Sequence, residues 1–194
     1  METKPTKYVL TGGPCTGKTT TINHLGKMGY QTIQEAASLL IEEEIKNDIP
    51  LWKKDIIAFQ KKLILKQIEF ESQINPEKIT FIDRSIIDTI AYCKIFKTEP
   101  TKEFVHLAKT HTYTNIFVLD FLNFYETNEI RLENKKIAKK IHQTLINTYT
   151  EFGYDPIFIP ALELSDRINF ILSKISTQAV NHFQETRHQT RLNI

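Results

Sequence analysis

Three of the chain's six glycines fall within six consecutive positions, Gly12-Gly13-Pro14-Cys15-Thr16-Gly17, directly behind the apolar run Tyr8-Val9-Leu10. Glycine weakens the interior of a helix or strand, because it has the most conformational freedom to lose. The stretch is therefore a turn in which the backbone must come close to something. Lys18 and Thr19 complete the pattern G-x-x-x-x-G-K-[ST]. With no Cβ in the way, successive backbone N–H groups can converge on one anion, and the helix that Lys18 opens adds its positive amino end. The expected ligand is a polyphosphate, gripped from Gly12, Gly13, Pro14, Cys15, Thr16 and Gly17 through Lys18, Thr19 and Thr20. Lys18 would reach the β- and γ-phosphates, and the Thr19 hydroxyl would ligate Mg²⁺.

The rest of the pattern gives the setting. Short apolar strands are expected over 7–11, 30–34, 78–82, 115–119 and 156–159. Helices are expected over 18–27, 35–46, 55–74, 85–96, up to Lys109, 135–152 and 164–175. Alternation of this kind predicts an α/β fold, a three-layer P-loop NTPase fold with a parallel five-stranded sheet and helices on both faces. One domain is expected over 1–177, with a flap or lid at about 120–135 and a polar tail or helix extension over 178–194.

Composition limits the alternatives. The 194 residues are 41% hydrophobic and 25% charged, with a net charge of +2. That charge gives no basis for a nucleic-acid partner. No apolar run is long enough to span a bilayer, and METKPTK lacks a signal-peptide core, so a cytoplasmic protein is expected. Cys15 and Cys93 are read as free thiols, because two cysteines make no disulfide framework.

Three signatures of other nucleotide-binding proteins are missing. Asn134-Lys135-Lys136-Ile137 lacks the aspartate of an N-K-x-D guanine reader. The strand before Asp83-Arg84 carries no Asp-Glu pair of a ring ATPase. Nothing matches a transporter-type signature. Asp83-Arg84-Ser85 instead suits phosphoryl transfer to a small acceptor. An aspartate at a strand's carboxyl end can hold Mg²⁺, and the arginine can offset developing charge. Asp83 or Ser85 can equally serve as a helix cap.

Taken together, "TGGPCTGKTTTINHL", "GYQTIQEAA", "FQKKLILKQIEFE", "FIDRSIIDTIAY", "YETNEIRLE" and "DRINFIL" resemble the NadR-like AAA-type P-loop domains, which are similar to nucleoside and nucleotide kinases. The resemblance implies binding of ATP, or GTP, with Mg²⁺. It also implies γ-phosphoryl transfer to a nucleoside, nucleotide or ribosyl compound. Glu35 then corresponds to a base that takes the acceptor's proton, although a glutamate at a helix start also suits the dipole. Gln60 corresponds to an amide that reads the acceptor. Gln60 and Gln67 share a stripe with Ile56 and Leu63. Trp52 and Phe59 either wall the same cleft or pack in the core. Tyr125, Glu129 and Arg131 belong to the lid, with Arg131 closing on phosphate. The family's aspartate before this arginine is replaced in Thr127-Asn128-Glu129-Ile130-Arg131. Lys135, Lys136, Lys139 and Lys140 form a solvated basic face. Two rival functions remain, a nucleotide-sensing module acting on a protein or lipid, and a polynucleotide 5′-kinase. The acceptor and the oligomeric state are not specified by these residues.

Overall fold

The computed structural model describes residues 5–46, 49–122 and 130–175. Among the described residues, five strands are interspersed with eight helices. The strands are β1 (Lys7–Thr11), β2 (Gln31–Ile33), β3 (Thr80–Asp83), β4 (Asn115–Leu119) and β5 (Ile157–Ile159). The helices are α1 (Lys18–Lys27), α2 (Ala36–Glu44), α3 (Leu51–Lys54), α4 (Ile56–Ser72), α5 (Ile86–Ile95), α6 (Lys102–Thr110), α7 (Ile130–Glu151) and α8 (164–175). The sheet is parallel throughout, in the order β2-β3-β1-β4-β5.

Strand periodicity sorts the core into two layers, because alternate side chains point to opposite faces. Val9, Ile82, Ile116 and Val118 pack with Ile86, Ile90 and Cys93 of α5, Phe104 of α6 and Tyr149 of α7. Tyr8, Leu10, Phe81, Phe117 and Ile159 pack on the other face with Ile22 and Leu25 of α1 and Ile168 and Ile171 of α8. A smaller cluster, Ala36, Leu40, Phe59 and Leu63, joins α2 to α4 beyond the sheet. β1 is the central strand, paired with β3 on one side and β4 on the other, with Val9 opposite both Ile82 and Ile116. The loop that follows β1 therefore sits at the middle of the sheet's carboxyl edge, the place where open α/β sheets bind ligands.

Beyond shifts of one or two residues at other ends, two features differ from the sequence reading. α7 begins at Ile130 rather than Lys135, so residues 130–135 of the expected lid are helical. The short helix α3 was not expected. It fits between Pro50, which presets the turn, and Asp55, whose side chain accepts the Ala58 N–H at 2.9 Å and starts α4. Tyr125, Glu129 and the 178–194 tail lie outside the described residues. Among the described residues, no helix is long and apolar enough to cross a membrane.

Candidate active site

The glycine loop needs its glycines for space as well as for conformation. Gly12 has φ +139°, and a Cβ there would lie 2.7 Å from the Leu119 carbonyl. Gly17 has φ +80°, and a Cβ would run into the guanidinium of Arg167. A Cβ on Gly13 would lie 2.8 Å from the Phe121 ring. The loop is thus walled by β4, by the segment after it, and by α8. Cys15 is exposed at the loop's tip in the left-handed region, with φ 59°.

Lys18 is buried, and its ammonium donates to Gly13 O at 2.9 Å, Gly12 O at 3.2 Å and Thr16 Oγ1 at 3.3 Å. Burial, seconded by the nearby Arg84, pulls its pKa down to about 8, against the pull of Asp83 and Glu35. A polyanion arriving at the loop would reverse that shift and draw the amine off the carbonyls.

Asp83 ends β3 with no exposure. Its Oδ2 accepts from Thr19 Oγ1 at 3.2 Å, while its Oδ1 is buried without a partner. Burial raises the carboxyl to about 6, over the opposing pull of Lys18. A buried, half-satisfied carboxylate costs stability unless something completes it. The donors are a hydroxyl and a carboxylate, both hard oxygens, which suits Mg²⁺ with its remaining positions filled by phosphate and water. Thr19 and Asp83 therefore fit the ion. The rival capping role falls to Ser85, which accepts the Ile87 N–H at 3.1 Å while Asp88 accepts the Ser85 N–H at 2.8 Å, a closed capping box.

Arg84 follows Asp83 directly but turns the other way. Its φ is 67°, a left-handed conformation costly for a residue with a side chain and concentrated at functional sites. Its guanidinium donates to Glu35 Oε1 at 2.6 Å and to Asp88 Oδ1 at 3.2 Å, and lies 5.4 Å from the Tyr92 ring centroid. Burial opposes its charge, but Tyr92, Asp88 and Glu35 hold its pKa above the usual arginine value. Glu35 occupies the N-cap position of α2 without capping it. Its Oε2 instead accepts from Ser38 Oγ at 2.8 Å. Burial would raise Glu35, but Arg84 outweighs it and the carboxyl ends below the usual value.

Beyond this pair lies a cleft of about 200 Å³ between α2, α4 and α5. Glu35, Arg84, Asp88 and Gln60 supply its polar end, and Phe59 and Phe96 part of its apolar wall. Gln60 is 1% exposed, and its Oε1 has no hydrogen-bond partner. Gln67 also reaches the cleft, with its amide donated to Glu71 at 2.9 Å. Trp52 does not line the cleft. It packs edge-on behind Phe59, ring centroids 5.7 Å apart. Thr20 is exposed on α1. Arg131 lies in the first turn of α7, and its side chain is outside the described residues.

Three side chains at this site were not picked out from sequence. Asp88 gathers donors from Thr11 (2.6 Å), Arg84, the Ser85 amide and the Tyr149 hydroxyl, tying β1, α5 and α7 together. His142 of α7 accepts the Gly13 N–H through Nδ1 at 3.1 Å, and its other nitrogen lies 3.9 Å from Asp120. Arg167 of α8 is buried and donates to Thr16 O at 3.3 Å, Thr21 Oγ1 at 3.4 Å and Leu162 O at 2.9 Å. Each had a signal. His142 shares a face with Ala138, Leu145 and Tyr149, and Arg167 interrupts the stripe of Leu164, Ile168 and Ile171. A polar residue on an apolar helix face needs a partner.

With the loop, the paired acids and the cleft in place, comparison with known proteins becomes informative. A family model described as AAA domain matches residues 7–167. The chain belongs to this AAA domain family. Among solved structures it is similar to thymidylate kinase from Ehrlichia chaffeensis, at 13% identity and TM-score 0.62, over 89% of this chain and 99% of that one. It is also similar to the YorR protein from Bacillus subtilis in complex with phosphorylated GDP, at 15% identity and TM-score 0.60, over 90% and 98%. The NadR protein in complex with NR matches at 19% identity and TM-score 0.61, over 80% of this chain and 43% of that one. At these identities the likeness establishes a shared three-layer P-loop fold. No curated protein matches the sequence significantly.

Proposed function

We propose that this AAA domain is a P-loop phosphotransferase. It would take the γ-phosphoryl group of ATP, or GTP, with Mg²⁺, and pass it to a hydroxyl on a small acceptor held in the cleft. One observation carries this reading. Asp83 and Arg84 are adjacent in sequence, yet Asp83 reaches back to Thr19 of the phosphate loop while Arg84 reaches forward to Glu35 at the cleft. A single strand end thus joins an anion cradle to an acceptor pocket, which is what in-line transfer between two ligands needs.

The geometry supports the following roles. Gly12 to Thr20 surround the triphosphate, with Arg167 and His142 holding the loop in shape. Lys18 exchanges its carbonyl partners for phosphate oxygens. Mg²⁺, held by Thr19 and Asp83, would neutralise phosphate charge. Glu35 is ionised at neutral pH and accepts the acceptor's proton as its oxygen bonds to the γ-phosphorus. The bond from that phosphorus to the bridging oxygen breaks, and the nucleoside diphosphate leaves. Arg84, released in part by Glu35, offsets charge on the transferred group, and Arg131 is a candidate to join it from the lid. Gln60 offers its unpartnered carbonyl to an N–H of the acceptor, and Phe59 stacks against it, with Trp52 behind. The domain of 1–177 acts as one unit.

The test is incubation with γ-labelled ATP and Mg²⁺ across nucleosides, ribosyl compounds, nucleotides and oligonucleotides. Label on a small acceptor is expected. Tight nucleotide binding with slow, acceptor-independent hydrolysis would point to a sensor, and label on an oligonucleotide end to a polynucleotide kinase.

A further inference from the structure

Arg84 is held by two carboxylates that differ in how easily each can let go. Glu35 Oε1 accepts its Nε at 2.6 Å, and Asp88 Oδ1 accepts its Nη1 at 3.2 Å. The Glu35 contact is the shorter, but the Glu35 side chain is 25% exposed, against 3% for Asp88. Water or an incoming hydroxyl can replace Arg84 at Glu35, with Ser38 still on the other oxygen. Solvent cannot do the same at Asp88. A buried carboxylate stripped of its cation keeps an uncompensated charge, which costs far more than losing an exposed contact.

Asp88 is also fixed from three elements. Its Oδ1 accepts from Thr11 Oγ1 of β1 at 2.6 Å. Its Oδ2 accepts the Ser85 N–H at 2.8 Å, at the head of α5, and the hydroxyl of Tyr149 on α7. Tyr149 is fully buried, and its oxygen lies 2.7 Å from Ser85 Oγ. Because Tyr149 gives its proton to Asp88, the Ser85 hydroxyl is the donor in that contact, while its oxygen caps the Ile87 N–H. Each hydrogen bond then runs in one direction, and turning the carboxylate breaks several at once. The Arg84 backbone is tied down as well, with its N–H donating to Leu10 O at 3.1 Å.

We propose that Asp88, locked by Tyr149, is a positioning residue for phosphoryl transfer. Arg84 keeps its Nη1 on Asp88 and swings its Nε from Glu35 to the transferred group. This rests on the phosphotransferase reading and deepens it. Glu35 must be clear of Arg84 to receive the acceptor's proton, yet Arg84 must stay to meet the developing charge. A planar fork bonded at one end and released at the other satisfies both demands. Freed at both ends, the long side chain would regain rotamer freedom and lose it again at the moment of reaction.

Two variants of the full chain test this. Asp88→Asn keeps the shape and removes the charge that holds Nη1. Tyr149→Phe keeps the ring and removes only the hydroxyl that locks Asp88. The first measurement is hydrogen exchange at the Arg84 Nε–H, by heteronuclear NMR of ligand-free protein labelled with heavy nitrogen at arginine. The signal is assigned by its loss in Arg84→Met. Exchange should be about tenfold faster in Asp88→Asn and about threefold faster in Tyr149→Phe, as expected for losing a charge-assisted bond or its support. The second measurement is turnover of Mg-ATP with the nucleoside or ribosyl compound that takes up label. In Asp88→Asn, kcat should fall about tenfold to a hundredfold while KM for ATP stays within about twofold. In an Arg84→Met background, adding Asp88→Asn should change kcat by no more than about twofold, because the two residues act as one unit.

A merely structural role would lower Tm and reduce kcat equally in both backgrounds, and that result overturns the proposal. Unchanged Nε exchange in Asp88→Asn overturns it, as does faster exchange with wild-type kcat. Should Asp88→Asn fail to fold, Tyr149→Phe carries both measurements with the same criteria. If wild-type protein labels no acceptor, the phosphotransferase reading fails, and the exchange rates alone decide whether Asp88 anchors Arg84.

Discussion

His142 and Gly13, 129 positions apart, share one hydrogen bond in which the imidazole Nδ1 accepts the loop's amide at 3.1 Å. The bond requires Nδ1 without a proton, so the neutral ring carries its hydrogen on Nε2, facing Asp120. Helix α7 thereby holds the phosphate loop through a titratable side chain.

His142→Ala leaves a partly buried N–H without its partner. A loss of about 1–3 kcal/mol is expected. Burial lowers the ring's pKa below 6.5, and Asp120 only partly offsets this. Below pH 6.5 the unfolded chain therefore takes up this proton more readily than the folded one, and wild-type stability falls as the pH drops. Melting curves from pH 8 to pH 5 should show a shallower acid decline in the variant. Parallel declines would show that His142 does not couple to the loop.

Lys18→Ala should weaken Mg-ATP binding about tenfold to a hundredfold, from the loss of charge-assisted hydrogen bonds worth roughly 1.5–3 kcal/mol. Isothermal titration calorimetry measures it. Unchanged affinity would remove the loop from the proposed role.

Asp83→Asn should separate stability from function. The folded carboxyl titrates at about 6, against an ordinary 3.8. The folded state thus holds this proton more tightly, and its ionisation costs stability as the pH rises from 3.8 through about 6. The cost is about 3 kcal/mol. The variant also deprives Lys18 of a counter-charge, so a net gain of about 1–2 kcal/mol is expected. In metal-free protein at pH 8 the Tm should rise by about 2–8 °C, and at pH 4 the gain should vanish. The same variant should lose any tightening of nucleotide binding by Mg²⁺. A variant that melts lower than wild type at pH 8 would contradict the burden placed on the buried carboxylate.

Cys15 sits exposed at the tip of the loop. Mg-nucleotide bound in the cradle should cover it, so alkylation by iodoacetamide should slow about tenfold on saturation, read by mass spectrometry. Cys93, buried in α5, serves as the unreactive internal control. Equal rates with and without nucleotide would place the phosphates elsewhere.

The segment from Lys7 to Lys27 was legible in sequence almost to the residue, because glycine spacing and a following lysine admit few backbones. The 115–119 strand was equally plain, with its apolar run in the sheet's interior. The start of α7 was not. Its first turn, Ile130-Arg131-Leu132-Glu133, has good helix formers, but the polar run before it, Glu126-Thr127-Asn128-Glu129, reads as a continuing loop. Asp83 was legible from its place after an apolar strand. The turn that sends Arg84 away from it depends on a positive φ that no residue type announces. His142, Arg167 and Asp88 act through partners 77 to 151 positions away; helix periodicity marks His142 and Arg167 as polar residues on apolar faces, but nothing along the chain names the partners they meet.

The Arg167 guanidinium grips Thr16 O and Thr21 Oγ1 from the last described helix. A ribosome that has just finished the glycine loop has therefore made a loop that cannot yet take its shape. Its brace arrives some 150 codons later. Contacts so distant along the chain slow folding, since their closure entropy is spent before they repay it. Until α8 docks, the nascent chain holds an unbraced loop, and any nucleotide that favours the finished loop would draw the last helix into place.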